Sequence, residues 1–200
     1  MKINRLFYTI FIEPLLSAPK KTLKDIIVKK RYTDILEVGC GTGKQSIIIA
    51  QSGINVTCID ISDSMFPKNY SSKGKLTFLK ADGRSIPLNS KSFDAALISL
   101  ALHEMDKEYR IPVLKEMLRL LRDRGSLYIM DYNINPQTRK SFAKFTIKFI
   151  EWLAGKRHNG NFKNFIQNGG VPSLAAQLNL KIKVKIPIFG GSGAIFGLTK

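Results

Sequence analysis

The sequence predicts an α/β fold built on a central, mostly parallel sheet with helices on both faces. Three observations carry that prediction. Residues 35–50, ILEVGCGTGKQSIIIA, read as a buried strand (Ile35, Leu36, Val38), a glycine-rich turn and the start of a helix. Residues 54–61, INVTCIDI, are a second apolar run ending in an acid, Asp60. Strand-length apolar runs then alternate with helix-length stretches to residue 132, the order of parallel strands joined by helices.

Two hundred residues suit one domain with one sizeable core, and 44% apolar and 10% aromatic residues are values of a globular protein. Cys40 and Cys58 both fall at or near strand ends, so they read as small core residues of a reducing compartment and not as a disulfide framework. The start has a basic residue but no clean apolar run leading to a small-residue cleavage site, and no stretch of 18 apolar residues occurs. A cytoplasmic protein is expected, one that can still lie against a membrane.

The formal charge is +17, unevenly spread. Residues 1–33 hold eight basic and two acidic residues, 34–132 thirteen and twelve, and 133–200 eleven and one. The middle is near neutral and the flanks carry the charge. A solvated basic surface, an anionic membrane, an anionic substrate and nucleic acid all stay open as its use.

In chain order, residues 5–12 form an apolar segment read as a short helix ending near Pro14, which would break a helix interior. Its Phe7, Tyr8 and Phe11 either cover a ligand or pack on the sheet. A second helix spans 22–28, with Leu23, Ile26 and Ile27 inward, and 29–31 is an exposed basic connection.

The turn at Gly39, Gly41 and Gly43 is spaced G-x-G-x-G. Glycine there allows positive φ and lets backbone approach a ligand, and N–H groups at the helix start favour electron-rich atoms. A nucleotide-type site at the carboxyl end of a first strand follows, against the alternative of a tight turn that binds nothing. Asp60 stands about 20 residues after the glycines at a strand end, which suits two ribose hydroxyls. The dinucleotide fingerprint wants glycine or alanine at position 44, where this chain has Lys44.

The helix after the glycines runs over 44–51 with Gly53 as its cap, and Ser62 is an N-cap. A third strand at 75–80 leads to Asp82, and a fourth at 93–100 starts with a structural Asp94. His103 and Glu104 follow that strand on the same edge as Asp60. His103 is either a satisfied structural residue or a general base near neutral pH. An amphipathic helix at 107–121 buries Val113, Leu114, Met117, Leu118 and Leu121. RDRG at 122–125 is a connection, and the fifth strand, 126–130, ends at Asp131 and Tyr132.

Residues 136–153 read as a long helix with Phe142, Phe145, Phe149 and Leu153 at helical spacing and a stripe of Lys140, Lys144 and Lys148. That pattern fits a core face with a wet face, or a membrane-surface or lid helix. Residues 155–164 read as a polar basic loop carrying His158. Gly169, Gly170 and Pro172 open a last helix to Leu178. KIKVKIPI at 181–188 alternates basic and apolar residues, and 190–193 turns into a final strand at 194–199.

Four segments in this order resemble a known family. They are the glycine turn with Glu37 two residues before it, FLKADGRSIPLNSKSFD at 78–94, AALISLALHE at 95–104 and LKEMLRLLRDRGSLYIMD at 114–131. The second is similar to G-D-A-x-x-L-P-F-x-D-x-S-F-D. Together they resemble the class I S-adenosylmethionine-dependent methyltransferases, in particular the small-molecule branch that includes the ubiquinone/menaquinone-biosynthesis enzymes. RDRG departs from the family's K-P-G-G, placing Arg124 where proline is common.

The resemblance implies a Rossmann-like seven-stranded sheet closed by a C-terminal antiparallel hairpin, with S-adenosyl-L-methionine as cofactor. It implies an N-terminal helical cap at 1–33, a cofactor-binding core at 34–132 and a substrate-side helix, loop and hairpin at 133–200. Glu37 would orient the methionine ammonium, with Gly39, Cys40, Gly41 and Gly43 along the methionyl part. Asp60 would hold the ribose, and Ile61 and Met65 would lie beside ribose and adenine. Asp82 and Gly83 would hold the adenine, and Leu100 and His103 would flank the transfer point. Tyr8, Asp131, Tyr132 and His158 are the substrate-side residues, and no metal is implied.

Methyl transfer to a small or lipid-like molecule by in-line displacement is the reading this supports. RNA methylation is its alternative, against which stand the lack of an added RNA-binding module and of a D/N-P-P-[YF] motif. A catalytically inactive cofactor- or nucleic-acid-binding protein is the alternative of another class.

Overall fold

The computed structural model describes residues 13–69, 74–134 and 156–200. Among them, strand β1 (Asp34–Val38) is central and buried at every position but its first. Beside it lie β2 (Asn55–Asp60) and then β3 (Leu76–Lys80) on one flank. On the other lie β4 (Phe93–Ser99), β5 (Leu121–Tyr132), β7 (Gly193–Thr199) and β6 (Lys181–Ile188). The order is β3-β2-β1-β4-β5-β7-β6. The first five strands pair in parallel, and β7 is antiparallel to both of its neighbours. This is the Rossmann-like sheet with a closing antiparallel hairpin.

Alternation along the strands makes two core layers. Leu36, Val38, Ala96, Ile98, Leu127 and Ile129 pack on one face with α3 (Lys107–Leu120), α4 (Lys156–Gln167) and α5 (Gly170–Gln177). Ile35, Ala95, Leu97, Tyr128 and Met130 pack on the other with α1 (Glu13–Lys29) and α2 (Lys44–Ala50). Central parallel strands covered on both faces need continuous apolar runs, which is why they are plain in the sequence. Lysines 181, 183 and 185 are exposed on β6, as suits an edge strand that must not pair further.

Three elements differ from the sequence reading. Helix α1 is continuous from Glu13 through Pro14 and Pro19, where a break near Pro14 and a fresh start at 22 were expected. Pro14 sits in the first turn, where its missing N–H has no partner to lose. RDRG is no loop: β5 begins at Leu121, pairs it with Phe93, shifts register, and resumes at Ala95 opposite Ser126. Residues 156–164, read as a polar loop, lie in α4, because Phe162 and Phe165 bury one side of it. The expected segment 5–12, with Phe7, Tyr8 and Phe11, and the expected helix 136–153 lie outside the described residues. Among the described residues no helix is long and apolar enough to cross a membrane.

Candidate active site

Parallel register brings the carboxyl ends of five strands onto one edge. Val38 is opposite Ile59, Asp60 opposite Lys80, and Ser99 opposite Met130. Those ends and the loops leaving them carry Gly39, Asp60, Asp82, His103 and Asp131, so the sheet order assembles the site, as the rule for open α/β sheets requires.

The glycine turn is held by geometry that admits no side chain at two places. Gly39 has φ +69°, and a Cβ there would lie 3.0 Å from Ala101 Cβ. Gly43 has φ +67°, and a Cβ would come within 2.5 Å of the Phe78 ring. The Gly41 N–H donates to Asp60 Oδ2 at 2.8 Å and the Ser62 N–H to Oδ1 at 3.0 Å. Two backbone donors thus fix the carboxylate, whose remaining lone pairs can accept from a ligand's hydroxyls.

Glu37 lies beneath the turn, 2% exposed, and accepts from the Ser46 hydroxyl. Burial raises its pKa to about 7, against the Ser46 hydrogen bonds and the charge of buried Lys20, which pull it down. The charge of Asp60 adds to the rise.

Asp82 is clasped by Arg84. The Arg84 Nε donates to both carboxylate oxygens at 3.0 Å, Nη2 to Oδ2 at 2.6 Å, and the Arg84 N–H to Oδ1 at 2.9 Å. These bonds hold the Asp82 carboxyl below its ordinary range. The guanidinium also lies 4.1 Å from the centre of the Tyr109 ring. An amino group approaching Asp82 therefore competes with Arg84.

A cavity of about 530 Å³ joins these parts. From the strand side it is walled by Gly39, Asp60, Ile61, Asp82, Gly83 and Arg84, and from the helix side by Glu104, Asp106, Tyr109, Lys156, Arg157, His158 and Asn161. Helix α4 is tied down over it by Arg110, which donates to the carbonyls of Leu102, Met105 and Asn161 and to Asn164 Oδ1, all within 3.0 Å. Asn161 Nδ2 donates to Asp106 Oδ1 at 2.8 Å, and Arg157 pairs with Asp106.

His103 is 2% exposed, and its Nδ1 lies 2.7 Å from Oδ1 of Asp131, itself 1% exposed. An ionised carboxylate only accepts, so Nδ1 carries the proton and Nε2 the lone pair when the ring is neutral. Asp131 is held in turn by the N–H groups of Tyr132 and His103. The ring packs 4.6 Å from Tyr132 and edge-on to Phe162. His103 Nε2 is 3.8 Å and His158 Nε2 4.0 Å from the same oxygen, Glu104 Oε1.

Of the residues singled out in the sequence, Gly39, Asp60, Ile61, Asp82, Gly83 and His158 line the cavity. Glu37 and Cys40 are buried. Gly41 and Gly43 shape the turn, and Met65 and Leu100 are half-buried outside the cavity wall. Leu100 has φ +53° and packs beside Tyr132 and Phe162. Asp131 and Tyr132 sit against His103; Tyr8 lies outside the described residues. Both cysteines are free thiols, as expected. The sequence reading missed Lys20, Ser46, Arg84, Tyr109, Asp106 and Asn161, and it named His103 and Asp131 without pairing them. Their places, Asp131 at the end of β5 and His103 just past the end of the adjacent β4, were the available signal.

Residues 36–129 match the family described as a methyltransferase domain. A demethylmenaquinone methyltransferase of Renibacterium salmoninarum is 28% identical over 119 residues, 60% of this chain and 47% of that one. A malonyl-[acyl-carrier protein] O-methyltransferase of Enterobacter lignolyticus is 31% identical over 98 residues, 49% of this chain and 38% of that one. The chain spans about half the length of the curated relatives it matches. A solved protein from Pyrococcus horikoshii superposes with a TM-score of 0.67 at 15% identity, covering 98% of this chain and 99% of the other. A Synechocystis magnesium protoporphyrin IX methyltransferase with bound S-adenosylhomocysteine gives 0.62 at 16% identity, covering 99% and 88%. At those identities the likeness is one of fold.

Proposed function

We propose that this chain, whose residues 36–129 match the methyltransferase-domain family, is a class I methyltransferase that moves a methyl group from S-adenosylmethionine to a small or lipid-like molecule. The observation that carries this reading is the cavity walled by Gly39, Asp60, Asp82 and Gly83 on one side and by Glu104 and His158 on the other. The donor set fits the cofactor: Asp60 and Asp82 line the cavity for a ribose diol and an exocyclic amine, and Glu37, buried beneath the glycine turn, is a third carboxylate for an ammonium. When bound, that cofactor supplies an electrophilic methyl whose departure leaves a neutral thioether.

The chain's own task is therefore alignment and exclusion of water. Asp60 accepts from the ribose hydroxyls with the lone pairs that Gly41 and Ser62 leave. Glu37, ionised, draws the ammonium beneath the turn. Asp82 and the Gly83 N–H take the adenine, with Arg84 yielding part of its grip on Asp82. His103, steadied at Nδ1 by Asp131, offers Nε2 to the acceptor and takes its proton there when no metal ion occupies that nitrogen. Residues 1–33, 34–132 and 133–200 act as cap, cofactor core and substrate side of one domain. The basic flanks suit a cytoplasmic protein that meets its acceptor at an anionic membrane.

The test uses purified protein in two steps. Calorimetry with S-adenosylhomocysteine comes first; absence of binding sinks the reading. Methyl-labelled cofactor is then incubated with protein and an extract of the source cells. Label in the organic phase supports a lipid-like acceptor and in the aqueous small-molecule fraction a polar one. Label in RNA or protein overturns the small-molecule assignment.

A further inference from the structure

We propose that His103, Glu104 and His158 bind one divalent first-row transition-metal ion, and that this ion holds an oxygen of the methyl acceptor. The first half stands on geometry alone; the second rests on the methyl-transfer reading.

The three residues offer two imidazole nitrogens and a carboxylate oxygen, all within 4.8 Å of one another. Two histidines and a carboxylate suit zinc, iron or manganese and leave positions open for substrate or water. Ligands on such an ion lie about 3 Å apart, given bonds of about 2.1 Å. The separations of 3.8 and 4.0 Å from Glu104 Oε1, and of up to 4.8 Å within the set, close to that with shifts of about 1–2 Å. Glu104, whose side chain is 53% exposed, has room to make them.

The second observation is Asp131. A histidine that binds a metal through one nitrogen characteristically donates the other N–H to a carboxylate, which fixes its tautomer and raises its basicity. His103 is held in that way, Nδ1 against a buried aspartate at 2.7 Å and Nε2 3.8 Å from Glu104 Oε1. The dyad thus points a lone pair into the cluster.

The position gives the ion its use. Glu104 and His158 line the cavity that holds Gly39 and Asp60, so open coordination positions meet the acceptor there. A phenol, enol or carboxyl oxygen suits them. A hydroxyl bound to the ion loses its proton to solvent more easily; the oxygen's lone pair then forms the bond to the methyl carbon as the carbon–sulfur pair returns to sulfur. Binding a metal and accepting a proton are alternative uses of one nitrogen, and an ion on Nε2 replaces direct proton uptake by His103.

The experiment titrates the chelator-treated full chain with Zn²⁺ and, separately, with S-adenosylhomocysteine by calorimetry, with bound zinc counted by elemental analysis. One zinc per chain is expected, weakened more than about tenfold in His158→Ala and in Glu104→Gln, and about 10–100-fold in Asp131→Asn. His158 and Glu104 lie at the surface of the cluster, so their variants keep the test open if Asp131→Asn fails to fold. Zinc binding that is absent, or equal in wild type and His158→Ala, overturns the metal site while S-adenosylhomocysteine binding still supports methyl transfer. Zinc binding without S-adenosylhomocysteine binding supports the metal site and overturns its role in holding a methyl acceptor.

Discussion

A carboxyl group as enclosed as Glu37 ionises without the water that would stabilise its charge, and nearby Ser46 and Lys20 do not make up the difference. Its pKa of about 7 in the folded chain lies above the ordinary 4.5, so the folded state holds this proton more tightly than the unfolded one. The sign follows. Below about pH 4.5 the group costs nothing; as pH rises towards 7 the unfolded chain gains by ionising first, and stability is lost, levelling off above 7. We expect Glu37→Gln to gain about 2–3 kcal/mol on wild type between about pH 5 and about pH 8, read from urea unfolding of both proteins. A constant difference would mean that Glu37 does not titrate there. An ammonium bound at Glu37 would reverse the effect, so S-adenosylhomocysteine affinity should rise over the same range in wild type and stay flat in the variant. At Asp60, Asp60→Ala should weaken S-adenosylhomocysteine binding by about 1–3 kcal/mol, the scale of a lost charged hydrogen-bond partner. Unchanged affinity in calorimetry would take Asp60 out of the ribose site. His103→Ala should slow methyl transfer about 100-fold or more, since either a base or a metal ligand is lost; a near-normal rate in a labelled-methyl assay would make the residue structural.

Elements differ in how openly the sequence declares them. Strand β1 is legible because Ile35, Leu36 and Val38 fill both faces of the sheet, and β2 because Val56, Cys58 and Ile59 do. Helix α4 is hidden: its segment is basic and glycine-containing, and only Phe162 and Phe165, three residues apart, show its buried side. Polarity outvoted those two rings in the sequence. Pro14 misled in the opposite direction, because its cost depends on its place in the helix and no residue before it marked the helix start. What fixes α4 is a residue from elsewhere. Arg110 on α3 is 3% exposed and spends its guanidinium on three carbonyls and Asn164, with the Phe165 ring 5.2 Å away. Arg110→Met keeps bulk but strands those acceptors, and we expect it to cost about 2–4 kcal/mol of stability. Hydrogen exchange should quicken first across residues 156–167, and no change there would mean that α4 is held by its apolar side alone.

At the scale of the molecule, the site depends on strand order, which no local pattern contains. Asp60 could be placed because it ends a strand next to the glycine turn. The His103–Asp131 bond joins residues 28 apart through the neighbouring ends of β4 and β5, and the His103–His158 approach needs α4 to lie over that edge. Charge is also a property of the whole chain. A +17 protein is attracted to any anionic surface, and two exposed basic regions on described elements could meet one. Lys21, Lys29, Lys30 and Arg31 lie along and just after α1, and Lys181 and Lys183 lie on the edge strand β6 beside Ile182, an exposed apolar residue. Each lysine at an anionic membrane surface contributes about 1 kcal/mol. If β6 is the contact, Lys181→Glu with Lys183→Glu should lower binding to phosphatidylserine-containing vesicles at least about 30-fold, with no loss of S-adenosylhomocysteine affinity. Co-sedimentation with neutral and anionic vesicles at low and high salt reads this out. Binding that needs anionic lipid, fades with salt and falls in the double variant places the acceptor's membrane at this edge. Vesicle binding untouched by the variant moves the contact to another part of the chain. Indifference to vesicles of either kind leaves the charge as a solvated surface and makes a water-soluble acceptor the better reading.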